Sequence, residues 1–296
     1  MTHATNQGRP TFRFAPSPNG ELHIGHALSA LTGWHWAQRL GGRFLLRIED
    51  IDVARARDQY IDQIFEDLAW IGLDWETPVR RQSAHFPAYR AQADRLAANG
   101  LLYPCFATRK EIAAAIADRA NHPTDPDGAP LYPGLHKALS RDDIVARQGD
   151  GQPFALRLDM DRALTEALRI TGGAPITYCA LADDGSPSEV IARPERWGDA
   201  VIVRKDVPAS YHLAVVTDDA DQGISHVTRG RDLEAATDLH RLLQILLDLP
   251  APCYHHHRLL LDDRGAKFAK RDGATSLHTL REQGLSRDAV RAMAGF

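Results

Sequence analysis

The chain has 296 residues, a formal net charge of −4, 25% charged and 44% hydrophobic residues. Such a chain can bury a sizeable core in about two or three compact parts. Its charge excludes a broadly basic nucleic-acid binder and leaves room for one focused basic face. No apolar stretch reaches the length of a membrane helix, and residues 1–8 lack the apolar run of a secretory signal. Cys105, Cys179 and Cys253 are widely spaced and odd in number, which suits a reducing, cytoplasmic setting.

In chain order, residues 11–14 read as a short strand entering a Pro/Ser/Asn/Gly loop, and 22–40 as a helix stopped by Gly41 and Gly42. The apolar run 44–48 reads as a buried strand that delivers Glu49 and Asp50 to its carboxyl end. An amphipathic helix follows, with Tyr60, Ile61, Ile64, Phe65, Leu68, Ala69 and Ile71 on one stripe. A helix over 87–99 ends at Gly100 and leads into a strand at 101–103. This alternation predicts an α/β fold with a covered parallel sheet and ligands at the strands' carboxyl ends. Thr108 and Glu111 form a capping-box pattern opening an Ala-rich helix to about residue 120, and 121–134 reads as loop. Residues 200–203 are expected to resume the sheet, 233–247 to form a helix burying Leu239, Leu242, Leu243, Leu246 and Leu247, and 259–261 to form a strand. The expected division is 1–104 and 191–250 as the halves of the sheet domain, 105–190 as an insertion, and 251–296 as a lysine-bearing loop with a short helical segment.

The sequence His23-Ile24-Gly25-His26 puts two imidazoles on one face of a helix's first turn, where N–H groups are unpaired and the dipole is positive. Gly25 would let a flat ring or a phosphate approach the backbone. The combination points to a nucleotide polyphosphate at a helix N-terminus. Far downstream, Lys267 and Lys270 stand in a glycine-flanked loop that can act as a cationic clamp on a reacting phosphoryl group. The run His255-His256-His257 makes a poor metal site, because adjacent strand residues face opposite ways.

Five ordered stretches make the chain resemble class I aminoacyl-tRNA synthetases of the glutamyl/glutaminyl branch. They are residues 13–18 (Arg13, Phe14, Ala15, Pro16, Ser17, Pro18), 23–26, 46–50, 211–216 and the lysine loop, where Ala269 and Arg271 replace the usual serines. The resemblance implies a Rossmann-type parallel sheet with an inserted subdomain, and activation of an amino acid by ATP with Mg2+. By family pattern His23, Gly25, His26 and Lys270 bind ATP, with His23, His26, Lys267 and Lys270 assisting the chemistry. Arg13 and Arg229 would grip the carboxylate of a glutamate, whose fit to a guanidinium fork disfavours glutamine. Glu49 would take the ammonium; Ser17 and Tyr211 would supply hydrogen bonds, with Phe14, Ala15 and Pro16 completing the pocket. Arg47, Asp50, Asp218 and Asp219 are expected as internal ion pairs.

Only about 25 residues follow the lysine loop, so the resemblance implies the short branch without an anticodon-reading domain. That branch activates glutamate without tRNA and transfers it to queuosine in the anticodon of tRNA(Asp). A groove for that anticodon stem-loop would draw on Arg80, Arg81, Arg109 and Lys110. Short members often hold zinc in the insertion, and here the matching positions are Cys105, Ala107, Tyr132 and His136. One thiolate, one phenol and one imidazole make a poor tetrahedral set, so no structural zinc is expected. A monomer is expected. The alternatives are a fragment charging a tRNA 3′ end, a small-molecule adenylyltransferase, and a non-catalytic glutamate- or nucleotide-binding relative.

Overall fold

A computed structural model describes residues 8–260 and 275–296. The first half contains β1 (Thr11–Phe14), α1 (Ile24–Arg39), β2 (Arg43–Ile48), α2 (Asp58–Trp70), β3 (Glu76–Arg81), α3 (Phe86–Ala98) and β4 (Leu102–Cys105). Then come α4 (Arg109–Ile116), α5 (Arg141–Gly149), β5 (Ala155–Leu158), α6 (Met160–Ile170), β6 (Thr177–Leu181), β7 (Pro187–Ile191) and β8 (Val201–Val203). The chain continues through α7 (Tyr211–Asp221), β9 (His226–Gly230), α8 (Ala236–Leu246), β10 (Cys253–His257), α9 (Leu277–Glu282) and α10 (Arg287–Ala294).

β1, β2 and β3 pair in parallel, as do β9 and β10. Ser225, just before β9, joins the two sets: its N–H donates to the Thr11 carbonyl at 3.1 Å, and the Thr11 N–H donates to its hydroxyl at 2.8 Å. The resulting order β3-β2-β1-β9-β10 reverses direction between β1 and β9, where doubly wound sheets open a crevice for ligands. β6 adds in parallel beside β10 and turns back as β7. β2 explains the two covered faces: Phe44, Leu46 and Ile48 pack with α1, α2, α9 and α10, whereas Leu45 joins α3, α6, α7 and α8.

Three expectations change. β8 pairs with β5 in a separate antiparallel sheet β4-β5-β8 and does not resume the parallel sheet. The last parallel strand is the histidine run Cys253–His257, in register with His226–Gly230, and residues 258–260 are not strand. Ala69 is exposed, although Ile61, Ile64, Leu68 and Ile71 of its stripe are buried. The pattern of α8 is as expected: its four leucines and the C-cap Leu247 are all buried.

Cys179 and Cys253 stand opposite one another on β6 and β10 and are joined in a disulfide, while Cys105 is free and buried. Spacing along the chain, on which the reducing setting was argued, carries no information about such a cross-strand pair. Among the described residues, no helix is long and apolar enough to cross a membrane. After residue 275 the chain returns to the start of α1: Ser276 bridges to His23, and the Leu277 N–H donates to the Leu22 carbonyl at 2.8 Å. Under α9, Asp67 of α2 is fully buried with neither carboxylate oxygen hydrogen-bonded. Burial pushes its carboxyl up to about 6, and Arg281, 3.8 Å away, offsets this only in part.

Candidate active site

A cleft of about 520 Å³ opens at the carboxyl ends of β1, β2 and β9, against the start of α1. It gathers nine of the expected residues: Arg13, Phe14, Ala15, Pro16, Ser17, His26, Glu49, Tyr211 and Arg229. Asn19, Ser29, Thr228, Gly230 and Leu233 complete the wall. The loop after β1 is held down by the Glu49 N–H, which donates to the Pro16 carbonyl at 3.0 Å, and by the Arg57 N–H, which donates to that of Pro18 at 3.1 Å. Lys267 and Lys270 lie outside the described residues.

His23 is the N-cap of α1, which starts at Ile24 and not at residue 22. Its Nδ1 accepts the Gly25 N–H at 3.1 Å, and Nδ1 of His26 accepts the His23 N–H at 3.1 Å. The pair is a capping box built from imidazoles. With both Nδ1 atoms accepting, the neutral rings carry their protons on Nε2, which makes each a donor. The ring centroids are 3.9 Å apart. A Cβ at Gly25 would come within 2.9 Å of His23 Cε1, so this glycine makes room for the cap itself. Close helix–sheet approach sets Gly33 similarly, since its Cβ would meet Thr228 Oγ1 at 2.7 Å.

On one side of the cleft the charges are balanced. Arg13 donates through Nε and Nη2 to both oxygens of Asp219, at 3.1 and 3.3 Å. Arg47, with no exposed surface, reaches Asp219 at 2.8 Å, Glu49 at 3.1 Å and Asp218 at 3.7 Å. Burial opposes the Arg47 charge, but the three carboxylates outweigh it and hold its pKa above the ordinary value. Burial likewise opposes ionisation of Asp219, and Arg13 and Arg47 overcome it and hold the carboxyl low. Glu49 differs. Burial raises its pKa, and Arg47 and Arg13, whose charges are shared with other carboxylates, only partly offset that. A cation arriving in the cleft would complete its neutralisation.

Arg229 is handled the other way. It is 4% exposed, yet among the described residues no carboxylate lies within ion-pair reach. Nη2 donates to Thr237 Oγ1 at 2.7 Å, Nη1 to His240 Nδ1 at 3.3 Å, and Nε to His256 Nε2 at 3.5 Å. Burial and the Arg229 charge push His212 down to about 4 and His256 to about 3, and hold His240 well below its usual range. These rings are neutral at pH 7. Among the described residues the site therefore keeps a buried, positioned cation with no carboxylate beside it, an arrangement suited to receiving an anion.

Thr237, His240 and His256 were missed by sequence reasoning. A signal existed: His240 sits among the buried leucines of α8, where a polar residue must find a partner. The expected internal ion pairs of Arg47, Asp50, Asp218 and Asp219 are all present. Of the residues expected at a nucleic-acid groove, Arg80 is largely buried and pairs with Asp218 and Asp221, and the half-exposed Arg81 pairs with Asp50 and Asp58. Arg109 and Lys110 are exposed on the first turn of α4.

The zinc positions come together without fitting zinc. Cys105 Sγ donates to Tyr132 Oη at 3.3 Å, and that oxygen also accepts the His136 N–H at 2.9 Å. Nδ1 of His136 accepts the N–H groups of Phe106 and Ala107 at 3.2 and 3.1 Å. The imidazole lone pair a metal needs is spent on backbone, and Ala107 offers no donor. Among the described residues no group of three or more His, Cys, Asp or Glu side chains could hold a metal ion.

The family model for the catalytic domain of class I tRNA synthetases (E and Q) matches residues 11–295. The chain is 46% identical over 287 residues to a glutamyl-Q tRNA(Asp) synthetase of Rhodobacter capsulatus, covering 96% of this chain and 99% of that protein. It is 33% identical to a glutamate–tRNA ligase of Aquifex aeolicus, covering 94% of this chain and 55% of the ligase. In structure it is similar to a glutamate-tRNA synthetase from Elizabethkingia anophelis, with a TM-score of 0.77, 24% identity, and coverage of 98% and 61%.

Proposed function

Because the chain belongs to the class I tRNA synthetases of the glutamate and glutamine branch, we propose that it activates glutamate with ATP and transfers it to queuosine in the anticodon of tRNA(Asp). Activation joins a glutamate carboxylate oxygen to the α-phosphorus of ATP and releases pyrophosphate. A hydroxyl of queuosine then attacks the activated carbonyl, and AMP leaves. The observation that carries the glutamate assignment is the buried Arg229 guanidinium without a carboxylate partner.

Arg229 and Arg13 take up the substrate's carboxylate charge, and Glu49, poorly neutralised by Arg47, receives the ammonium. Tyr211 and Ser17 add hydrogen bonds along the cleft. His23 and His26 donate from Nε2 to the ATP phosphates at the positive end of α1. Lys267 and Lys270 stabilise charge developing between the α- and β-phosphates. Mg2+, which favours phosphate oxygens and water over an all-protein cage, would supply positive charge to the ATP phosphates when bound. The rate enhancement comes from orientation and fixed charge, with no covalent enzyme intermediate.

The short form of the reaction, rather than charging of a tRNA 3′ end, is supported by the greater likeness to the Rhodobacter relative, 46% identical against 33% for the Aquifex ligase. The chain spans 99% of the Rhodobacter relative and about half of the Aquifex ligase. The anticodon stem-loop would approach the exposed Arg109 and Lys110, and the enzyme would act as a cytoplasmic monomer without structural zinc. Labelled-glutamate transfer to tRNA with and without queuosine tests the proposal. Transfer confined to queuosine-bearing tRNA(Asp) is expected. Equal transfer to both pools, located on the 3′ end of tRNA(Glu), overturns it.

A further inference from the structure

We infer that His240 and Thr237, with His256 and His212 behind them, are positioning residues that hold Arg229 while withholding any negative charge from it. The inference rests on the reading of Arg229 as the receptor for glutamate's carboxylate, and it adds why that charge is available.

The tautomers are dictated by the contacts. For Nδ1 of His240 to accept from Arg229, its proton must sit on Nε2, which then donates to Nδ1 of His212 at 3.2 Å. Thr237 Oγ1 accepts from Arg229 and donates to Nε2 of His256 at 3.1 Å, and the same nitrogen accepts from Arg229 Nε. Every polar hydrogen between these groups has an acceptor, and the network contains no anion. Tyr254 closes the remaining side, with the guanidinium 5.2 Å from its ring centroid. A guanidinium is normally buried against a carboxylate, as are Arg13, which lines the same cleft, and the fully buried Arg47. Neutral acceptors fix the Arg229 fork without cancelling its charge, so that the substrate's carboxylate becomes its counter-ion.

Aspartate and asparagine at position 240 separate charge from shape. An Oδ1 atom stands the same number of bonds from Cβ as the Nδ1 it replaces, and the two side chains share a shape while differing in charge and in Nδ2, which donates where Oδ2 accepts. With ATP–pyrophosphate exchange as the assay, His240→Asn is expected to raise the KM for glutamate about threefold, and His240→Asp at least about 30-fold at a kcat close to that of the asparagine variant. Thr237→Val, which keeps the side-chain shape, is expected to raise KM about tenfold by loosening the fork. A merely structural role would move the two position-240 variants together, so equal KM values overturn the inference. If His240→Asp fails to fold, judged by circular dichroism, an unchanged KM in Thr237→Val overturns it instead. Arg229→Ala separates the two levels. An unchanged KM there overturns the reading of the cleft, whereas a raised KM with indistinguishable position-240 variants overturns only the neutral cradle.

Discussion

Arg13 and Arg229 line the same cleft and are buried to the same depth, at 5% and 4% exposure, yet their charges are treated oppositely. Arg13 is locked bidentately onto Asp219, which Arg47 shares. Among the described residues Arg229 donates to a hydroxyl and two neutral imidazoles and lies against the Tyr254 ring. A balanced cluster serves as scaffold: it holds β1, β2 and α7 together and gives a ligand a rigid wall. An unbalanced cation stores a desolvation cost that a matching anion relieves on binding. Burial and residue type alone do not distinguish the two; the partner does.

The largest break is expected at the centre of the balanced side. Arg47→Met leaves Asp218, Asp219 and Glu49 short of positive charge in a dry interior, and should cost about 4 kcal/mol, enough to threaten folding at 37 °C. Denaturant titration checks this, with a loss below about 1 kcal/mol counting against the cluster as scaffold. Arg229→Ala should do the reverse. The midpoint of unfolding stays close to wild type, because no buried anion is orphaned, while the KM for glutamate in pyrophosphate exchange rises by at least about 100-fold. Arg13→Ala falls between them. It should lose both glutamate affinity and about 2 kcal/mol of stability, since Asp219 keeps only Arg47. An Arg13 variant that lost activity with full stability would erase the distinction between the two arginines.

A third buried charge sharpens the comparison because no ligand reaches it. Asp67 has no exposed surface and no hydrogen bond, and its carboxyl is pushed up to about 6, from 3.8, by burial. A carboxyl whose pKa is raised on folding contributes stability in its protonated form. That contribution is full below pH 3.8 and is lost as the pH rises through about 6. Asp67→Asn should therefore be more stable than wild type at pH 7.5 by about 2 kcal/mol, with the difference vanishing near pH 4. Thermal melts across that range provide the check; a pH-independent difference would mean that packing, and not charge, separates the two proteins.

How much of this could be read from residues alone follows the same division. The His23 and His26 pair, the Glu49 strand end and the sequence around Arg13 are local patterns, and His26, Glu49 and Arg13 line one cleft. β1 and β2 followed from short apolar runs, whereas β3, the polar and largely exposed segment Glu76–Arg81, gave no such signal. What stayed hidden depends on contacts distant in sequence. Arg13 meets Asp219 across 206 positions, Cys179 meets Cys253 across 74, and β8 leaves the parallel sheet for β5. His256 was dismissed as a metal ligand on correct strand geometry. The same alternation turns its ring toward Arg229, a use that cannot be inferred without knowing what lies beside β10.

The smallest effect is expected where sequence likeness suggests a metal. Cys105, Tyr132 and His136 already satisfy one another and the N–H groups of Phe106 and Ala107, so hydrogen bonds close the insertion at the positions where the resemblance would place an ion. Chelators should shift the melting temperature by less than about 1 °C, because no ion-dependent folding energy is present to remove. Elemental analysis of untagged protein should find zinc far below one per chain. His136→Ala should instead cost about 1–2 kcal/mol, the penalty for leaving two backbone donors without their acceptor. Stoichiometric zinc would require the His136 ring to turn away from both backbone groups, and would show that the ion had been strong enough to displace the bonds holding the closed insertion together.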